Sequence, residues 1–176
     1  MKKKIELRNW AKNYRKTLNI SDISEAIVCN IRKSEEYKSA DNIMFFYPLP
    51  DEVNLLALLE DNKNFFLPRV NGADLEVCPY KYGDELKLSD LKINEPITKS
   101  VSPNELDIVF LPALCADNSF YRLGYGGGFY DRFCSGSDYV FKKYIVVPDE
   151  LVIDTVPIEA YDIKCDGIIT QKKASF

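Results

Sequence analysis

The residue types and spacings best suited to chemistry lie between positions 122 and 132, in the run Arg-Leu-Gly-Tyr-Gly-Gly-Gly-Phe-Tyr-Asp-Arg. Four of the chain's eight glycines, Gly124, Gly126, Gly127 and Gly128, fall within five positions. A glycine cluster between a strand and a helix lets successive backbone N–H groups converge on one space, and the helix start adds partial positive charge there. Both features suit a phosphate. Asp131, at the far edge of the loop, is placed to hold a hard cation such as Mg2+ bridging phosphate oxygens. Arg122 and Arg132 can add charge-assisted hydrogen bonds. The same glycines would also serve a tight, flexible turn. The loop is neither a Walker A loop, since no Gly-Lys-Ser/Thr follows, nor a dinucleotide fingerprint, since the glycine spacing differs.

Two further clusters stand apart from the loop. Lys4, Arg8 and Arg15 recur at spacings of four and seven, so on a helix they share one face, with Lys12 at its edge. That stripe could grip a polyphosphate, or it could be a solvated face opposite a core stripe of Leu7, Trp10 and Tyr14. The segment Tyr47-Pro48-Leu49-Pro50-Asp51-Glu52 follows an apolar run that reads as a strand. In open α/β sheets, ligands sit outside the carboxyl ends of strands. Glu52 could there bind a cationic or amide-bearing group, or it could be an ordinary residue of a first helical turn.

The composition narrows the chemistry. The chain has 176 residues, 46% apolar and 28% charged, with a net charge of −4. This is the balance of a globular domain, and an acidic one is poorly matched to nucleic-acid phosphates. The absence of histidine removes Ser-His-Asp and Cys-His triads and every histidine metal ligand or base. Five cysteines, none at a C-x-x-C spacing, predict neither a disulfide framework nor a zinc site. Apolar runs are too short for a membrane span. The basic start lacks an apolar stretch behind it, so no signal peptide is read and the cytoplasm is the expected location.

The elements that must position these groups follow from periodicity. Residues 2–18 and 21–37 carry helical stripes, with Ser21-Asp22 as the N-cap of the second. Short β-rich runs follow at 42–47, 64–67, 75–80, 107–111, 144–147 and 167–170, the second stopped by Pro68. Residues 52–61, with Val53, Leu56 and Leu59 on one stripe, predict a helix between the first two strands. Runs that are apolar on both faces belong to strands buried on both sides. The rhythm predicts a single α/β domain over 1–176 with a mostly parallel sheet. Residues 81–105 read as a surface excursion, and 129–133 as the start of a helix.

Taken together, these pieces resemble the 5-formyltetrahydrofolate cyclo-ligase family. The matching elements are Lys4 and Arg8 on the first helix, with Arg15 downstream, then Tyr47 to Glu52-Val53, and Leu67-Pro68-Arg69-Val70. Asp107 to Pro112 and the 122–131 segment supply the hallmark. Pro157, Glu159, Asp162, Asp166, Ile168 and Thr170 close the pattern. The resemblance implies a three-layer α/β/α sandwich with a mostly parallel central sheet. It implies an ATP- and Mg2+-dependent reaction in which the formyl oxygen of 5-formyltetrahydrofolate attacks the γ-phosphate. Closure by N10 then gives 5,10-methenyltetrahydrofolate, ADP and phosphate by way of a phosphorylated imidate.

By resemblance, Lys4, Arg8, Arg122, Leu123, Gly124, Tyr125, Gly126, Gly127, Gly128, Phe129 and Tyr130 contact ATP. Tyr47, Glu52 and the stretch Tyr125, Gly126, Gly127, Gly128 and Phe129 face the folate. Asp131 and Asp166 hold Mg2+, and Arg122 and Asp131 are the catalytic pair. Small-molecule substrates, no nucleic acid, no membrane and a monomeric state are expected. Three positions depart from the family pattern. Gly127 stands where some members carry Lys, with Arg122 or Arg69 as the candidate to supply that charge. Phe120 stands where Gly is common, so a differently shaped turn is expected, and Tyr161 stands where His is common. A binding module without turnover, or an isomerase on a related fold, are the alternatives to a ligase.

Overall fold

A computed structural model describes residues 2–136 and 139–175 of the chain. In chain order the elements are α1 (Lys2–Arg15), α2 (Ile20–Lys33), α3 (Glu35–Ser39), β1 (Asn42–Met44), β2 (Asn64–Asn71), β3 (Asp74–Pro79), β4 (Leu86–Leu88) and β5 (Asn94–Pro96). They continue with β6 (Ile108–Pro112), β7 (Cys115–Asp117), β8 (Arg122–Leu123), α4 (Phe129–Cys134), β9 (Lys142–Val146), β10 (Val152–Ile153), β11 (Gly167–Ile169) and β12 (Ala174–Ser175). Seven strands form one sheet in the order β12-β11-β9-β6-β1-β2-β3. The five from β11 to β2 are parallel to their neighbours, and the two edge strands are antiparallel.

Alternation along the strands divides the core in two. Ile43, Phe45, Ile108, Phe110, Tyr144 and Val146 face one side, packed with Ile23, Ile27 and Ile31 of α2. Met44, Val109, Leu111 and Ile145 face the other, packed with Ala11 of α1 and Phe133 of α4. Period-two alternation with both faces apolar is why the runs look continuous, and why helices must cover both sides. The expected three layers follow. No helix among the described residues is long and apolar enough to cross a membrane.

Several expectations change. The N-cap of α2 is Asn19, whose side chain accepts from the Asp22 amide, and a break at Ser34 separates α2 from α3. The helix expected at 52–61 is a 3₁₀ turn, Leu56–Glu60. A three-residue repeat aligns Leu55 with Leu58, and these are buried along with Val53, while Leu56 and Leu59 are half-buried. Strand β2 runs through Pro68. The carbonyl of Phe66 accepts from Phe45, on the β1 side, so Pro68 points the same way, beyond the end of β1 where no ladder donor is required. The 81–105 excursion folds back as the β4–β5 hairpin, with Glu95 accepting from the Val70 amide.

Chain order also places the site. After β1 the chain moves to β2 on one side, and after β6 to β9 and β11 on the other. The crevice between the carboxyl ends of β1 and β6 is therefore the switch point where ligands sit in open parallel sheets.

Candidate active site

A cavity of about 410 Å3 opens at that switch point, within the usual range for small-molecule sites. Its walls differ in chemistry. Phe46, Pro68, Val70, Leu75, Leu91 and Ile93 make an apolar wall from the end of β1, from β2 and β3, and from the β4–β5 hairpin. Lys4, Arg8, Arg122, Asp131 and residues 124–128 make a polar one from α1, β8, the loop before α4 and α4 itself.

The glycine loop follows a β7–β8 hairpin rather than β6 directly. Gly126 has φ +108° and Gly128 φ +68°, backbone that favours glycine. A Cβ at Gly126 would touch the Arg8 guanidinium at an ordinary 3.5 Å from Cζ, so the backbone and not space is what calls for glycine there. Arg8 Nε donates to the Gly124 carbonyl at 2.9 Å, and its terminal nitrogens have no partner among the described residues. The amides of Gly126, Gly127 and Gly128 also have no acceptor among those residues. A Cβ on Gly127 would lie 2.7 Å from the Phe129 ring. The ring occupies the path that a lysine side chain would take, so the bare glycine and this ring position belong together.

The basic face of α1 is largely its buried face, which overturns the expected core stripe at Trp10 and Tyr14, while Leu7 packs against the core. Lys4, Ala11 and Arg15 are buried, while Trp10 and Tyr14 are exposed and stack on each other at 5.7 Å. Lys4 donates to Glu159 at 3.2 Å and to Asp162, both on the far rim of the cavity. Burial works to lower the Lys4 pKa, but the hydrogen bonds and charges of Asp162 and Glu159 outweigh it and the net shift is upward. Tyr161, at the position where His is common, donates to Glu159.

Arg122 is 6% exposed and approaches Asp131 only loosely, at 3.5 Å and 3.4 Å, and its Nε is buried without a partner. Asp131 lines the cavity and accepts from the Ile163 amide. Asp166 does not line it. Its carboxylate accepts from the Lys143 amide at 2.7 Å, with Lys143 Nζ at 3.5 Å, at the amino ends of β9 and β11. Both contacts fall on one oxygen of Asp166, and Asp131 is the one of the two expected metal ligands that lines the cavity. Arg69 is likewise engaged, with Glu76 and the carbonyls of Pro96 and Thr98. Arg122 is the one of the two candidates at the cavity.

Glu52 is 6% exposed and sits outside any helix, turned inward beside Tyr47. One oxygen accepts from Tyr125 Oη at 2.6 Å, the other from the Leu49 amide at 2.9 Å. Arg15, 2% exposed, donates to the Tyr125 hydroxyl at 2.7 Å and lies 3.9 Å from Glu52. Burial raises the Glu52 pKa, while the Leu49 amide, Tyr125 and Arg15 oppose that rise. The thiols of Cys115, Cys134 and Cys165 are each pushed up to about 12 by burial, so they remain protonated.

Sequence reasoning missed the apolar wall. Leu91 and Ile93 lie in an excursion without periodicity, and Pro68 and Val70 lie beyond an apparent strand stop. The one available signal was the Leu67-Pro68-Arg69-Val70 element. Phe120 lies in the turn between β7 and β8. The residue takes φ +68°, the conformation for which glycine is suited, and closes the hairpin that delivers Arg122.

An open parallel sheet with a two-walled cavity beside a glycine loop defines an α/β protein with a composite small-molecule site. The sequence model of the 5-formyltetrahydrofolate cyclo-ligase family matches residues 1–171. The chain is 28% identical over 145 residues to 5-formyltetrahydrofolate cyclo-ligase of Escherichia coli K12, covering 76% of this chain and 80% of that one. A match to the enzyme of the same name from Mycolicibacterium smegmatis is 36% identical over 69 residues, covering 39% of this chain and 36% of the relative. The solved structure of Aquifex aeolicus 5,10-methenyltetrahydrofolate synthetase superposes with a TM-score of 0.84 at 27% identity, covering 97% of this chain and 91% of that one. The chain belongs to the 5-formyltetrahydrofolate cyclo-ligase family.

Proposed function

We propose that the protein converts 5-formyltetrahydrofolate and ATP to 5,10-methenyltetrahydrofolate, ADP and phosphate. One observation carries the reading. A single cavity combines unpaired donors, from Arg8, Arg122 and the loop amides, with a buried acceptor-only carboxylate, Glu52. The first set suits a polyphosphate and the second suits the N–H groups of a pterin.

In this reading Lys4, Arg8 and residues 122–130 bind the nucleotide, while Tyr47, Glu52 and the loop from Tyr125 to Phe129 bind the folate. An amide oxygen is a poor leaving group until it is phosphorylated. Attack of the formyl oxygen on the γ-phosphate forms the O–P bond and releases ADP. N10 then bonds to the activated carbon and phosphate departs. The chain's own work is to hold the two substrates in line and to stabilise charge on the moving phosphoryl group, for which Arg122 is placed.

Among the described residues no group of three or more metal-ligating side chains occurs. Magnesium that arrives with a nucleotide does not need one, since it binds through one or two carboxylates plus phosphate oxygens and water. Asp131 fits as that carboxylate, and the ion would supply charge neutralisation on the phosphates.

The test is the methenyl absorbance produced from (6S)-5-formyltetrahydrofolate with and without Mg·ATP. Growth of absorbance only with nucleotide is expected. Folded protein that produces none rejects the reading, and tight folate binding without ATP hydrolysis would instead identify a binding module.

A further inference from the structure

Arg15 is the largest fully buried side chain among the described residues, yet it does not line the cavity. A buried guanidinium is costly, and an apolar side chain of similar volume would serve packing as well or better. Its Nε is buried without a partner, and the placement of its two terminal donors explains its presence. One terminal nitrogen reaches the Ala113 carbonyl, just past the end of β6, at 2.5 Å. The other reaches the Tyr125 hydroxyl, which passes its own proton toward Glu52. The fork thus fixes the relation between three segments that meet at the switch point: the end of β6, the glycine loop and the turn after β1. Tyr125 occupies one of the positions that the family's Gly-x-Gly-x-Gly pattern leaves open.

We propose that Arg15 is a positioning residue for the folate side of the site, acting through the Tyr125 hydroxyl to keep the Glu52 carboxylate ionised and turned into the cavity. The proposal rests on the reading of Glu52 as the folate acceptor. A protonated Glu52 would present an O–H to the pterin N–H groups and lose complementarity. The charged and titratable groups facing Glu52 are Arg15 from α1, Tyr125 from the loop, Tyr130 from α4 and the adjacent Asp51. Arg15 is the only cation among these. Its removal leaves burial and Asp51 repulsion, which favour the protonated form, opposed only by the hydrogen bonds from the Leu49 amide and Tyr125.

The experiment measures affinity for 5-formyltetrahydrofolate without nucleotide, and for ATP without folate, as a function of pH. The proteins are the natural chain, Arg15→Gln, Arg15→Lys and the packing control Ala11→Gly on the same helix face. Arg15→Gln is expected to weaken folate binding roughly 10-fold or more while ATP affinity stays within about twofold, the size of one lost charged hydrogen bond. The acid limb of folate binding should move up by about one pH unit, and Arg15→Lys should return most of that shift while recovering only part of the affinity. Adding Tyr125→Phe to Arg15→Gln removes the direct hydrogen bond to Glu52 as well, and should cost less than the sum of the two single changes, since the hydroxyl links them.

A ligand-free readout, the Glu52 carboxyl titrated by 13C NMR, should move upward in Arg15→Gln and not in Ala11→Gly. Equal losses for folate and ATP, or an unmoved Glu52 titration, would overturn the proposal. A natural chain that binds folate but never turns over would count against the ligase reading, and the binding comparison would still decide the role of Arg15.

Discussion

Two buried arginines flank the glycine loop, and they are held in opposite ways. Arg15 makes two short hydrogen bonds, at 2.7 Å and 2.5 Å, to groups fixed by the fold. The terminal nitrogens of Arg122 reach Asp131 only at 3.4–3.5 Å, and the Nε of each arginine is buried without a partner, so the difference lies in the terminal donors. A guanidinium whose terminal donors are held at short range by protein serves the scaffold. One whose donors are left unsatisfied in a cavity wall is held ready for charge that arrives with a ligand, because preorganised donors need no rearrangement when that charge develops.

The largest effect that this contrast predicts is at Arg122. Arg122→Lys should lower kcat by about 10²–10³-fold, the usual loss when one transition-state donor is removed. Tm should move by only a few degrees, on the order of 1 kcal/mol, since the loose contact with Asp131 contributes little. Steady-state kinetics beside a thermal melt checks both. Near-normal turnover, or unfolding, would erase the distinction between the two arginines.

The same contrast explains what could be read from the chain beforehand. The parallel sheet and its two covered faces were legible because apolar runs report burial directly. The glycine loop was legible because positive φ demands glycine at Gly126 and Gly128. The direction of α1 was not. Trp10 and Tyr14 look like core by type, but the inner face is taken by Lys4 and Arg15, whose partners Glu159, Asp162, Glu52 and Tyr125 come from segments far along the chain. Periodicity locates a face but cannot say whether buried charge will find its counter-charge there. Asp166 shows the converse. Its place in the family pattern suggested a ligand, whereas its amide-bound position at a strand end is visible only in the fold.

The loop itself offers a smaller, sharper test, since its glycines are not equivalent. Gly126→Ala places a side chain at φ +108° against Arg8, and should cost about 1–3 kcal/mol of stability together with ATP affinity. Gly124→Ala has ordinary φ, and its Cβ would meet Arg122 at a comfortable 3.6 Å, so it should stay within about 0.5 kcal/mol. Chemical denaturation of the two variants separates them. Equal costs would mean that the Arg8 side of the loop is no more constrained than the Arg122 side.

The smallest effect is expected at Phe120, in the turn that delivers Arg122. Left-handed backbone at a non-glycine residue costs roughly 1–2 kcal/mol, and Phe120→Gly removes that strain. The half-buried ring packs against the core beneath β7 and β8, and its loss should cost a comparable amount, on the order of 1–2 kcal/mol. The two terms oppose each other, so stability should change by less than about 1 kcal/mol. Activity should be kept, because the turn already has the shape that glycine would give it. A large fall in kcat with unchanged stability would show that the ring, rather than the turn, aligns Arg122, and would move the source of its loose placement from the loop to the hairpin.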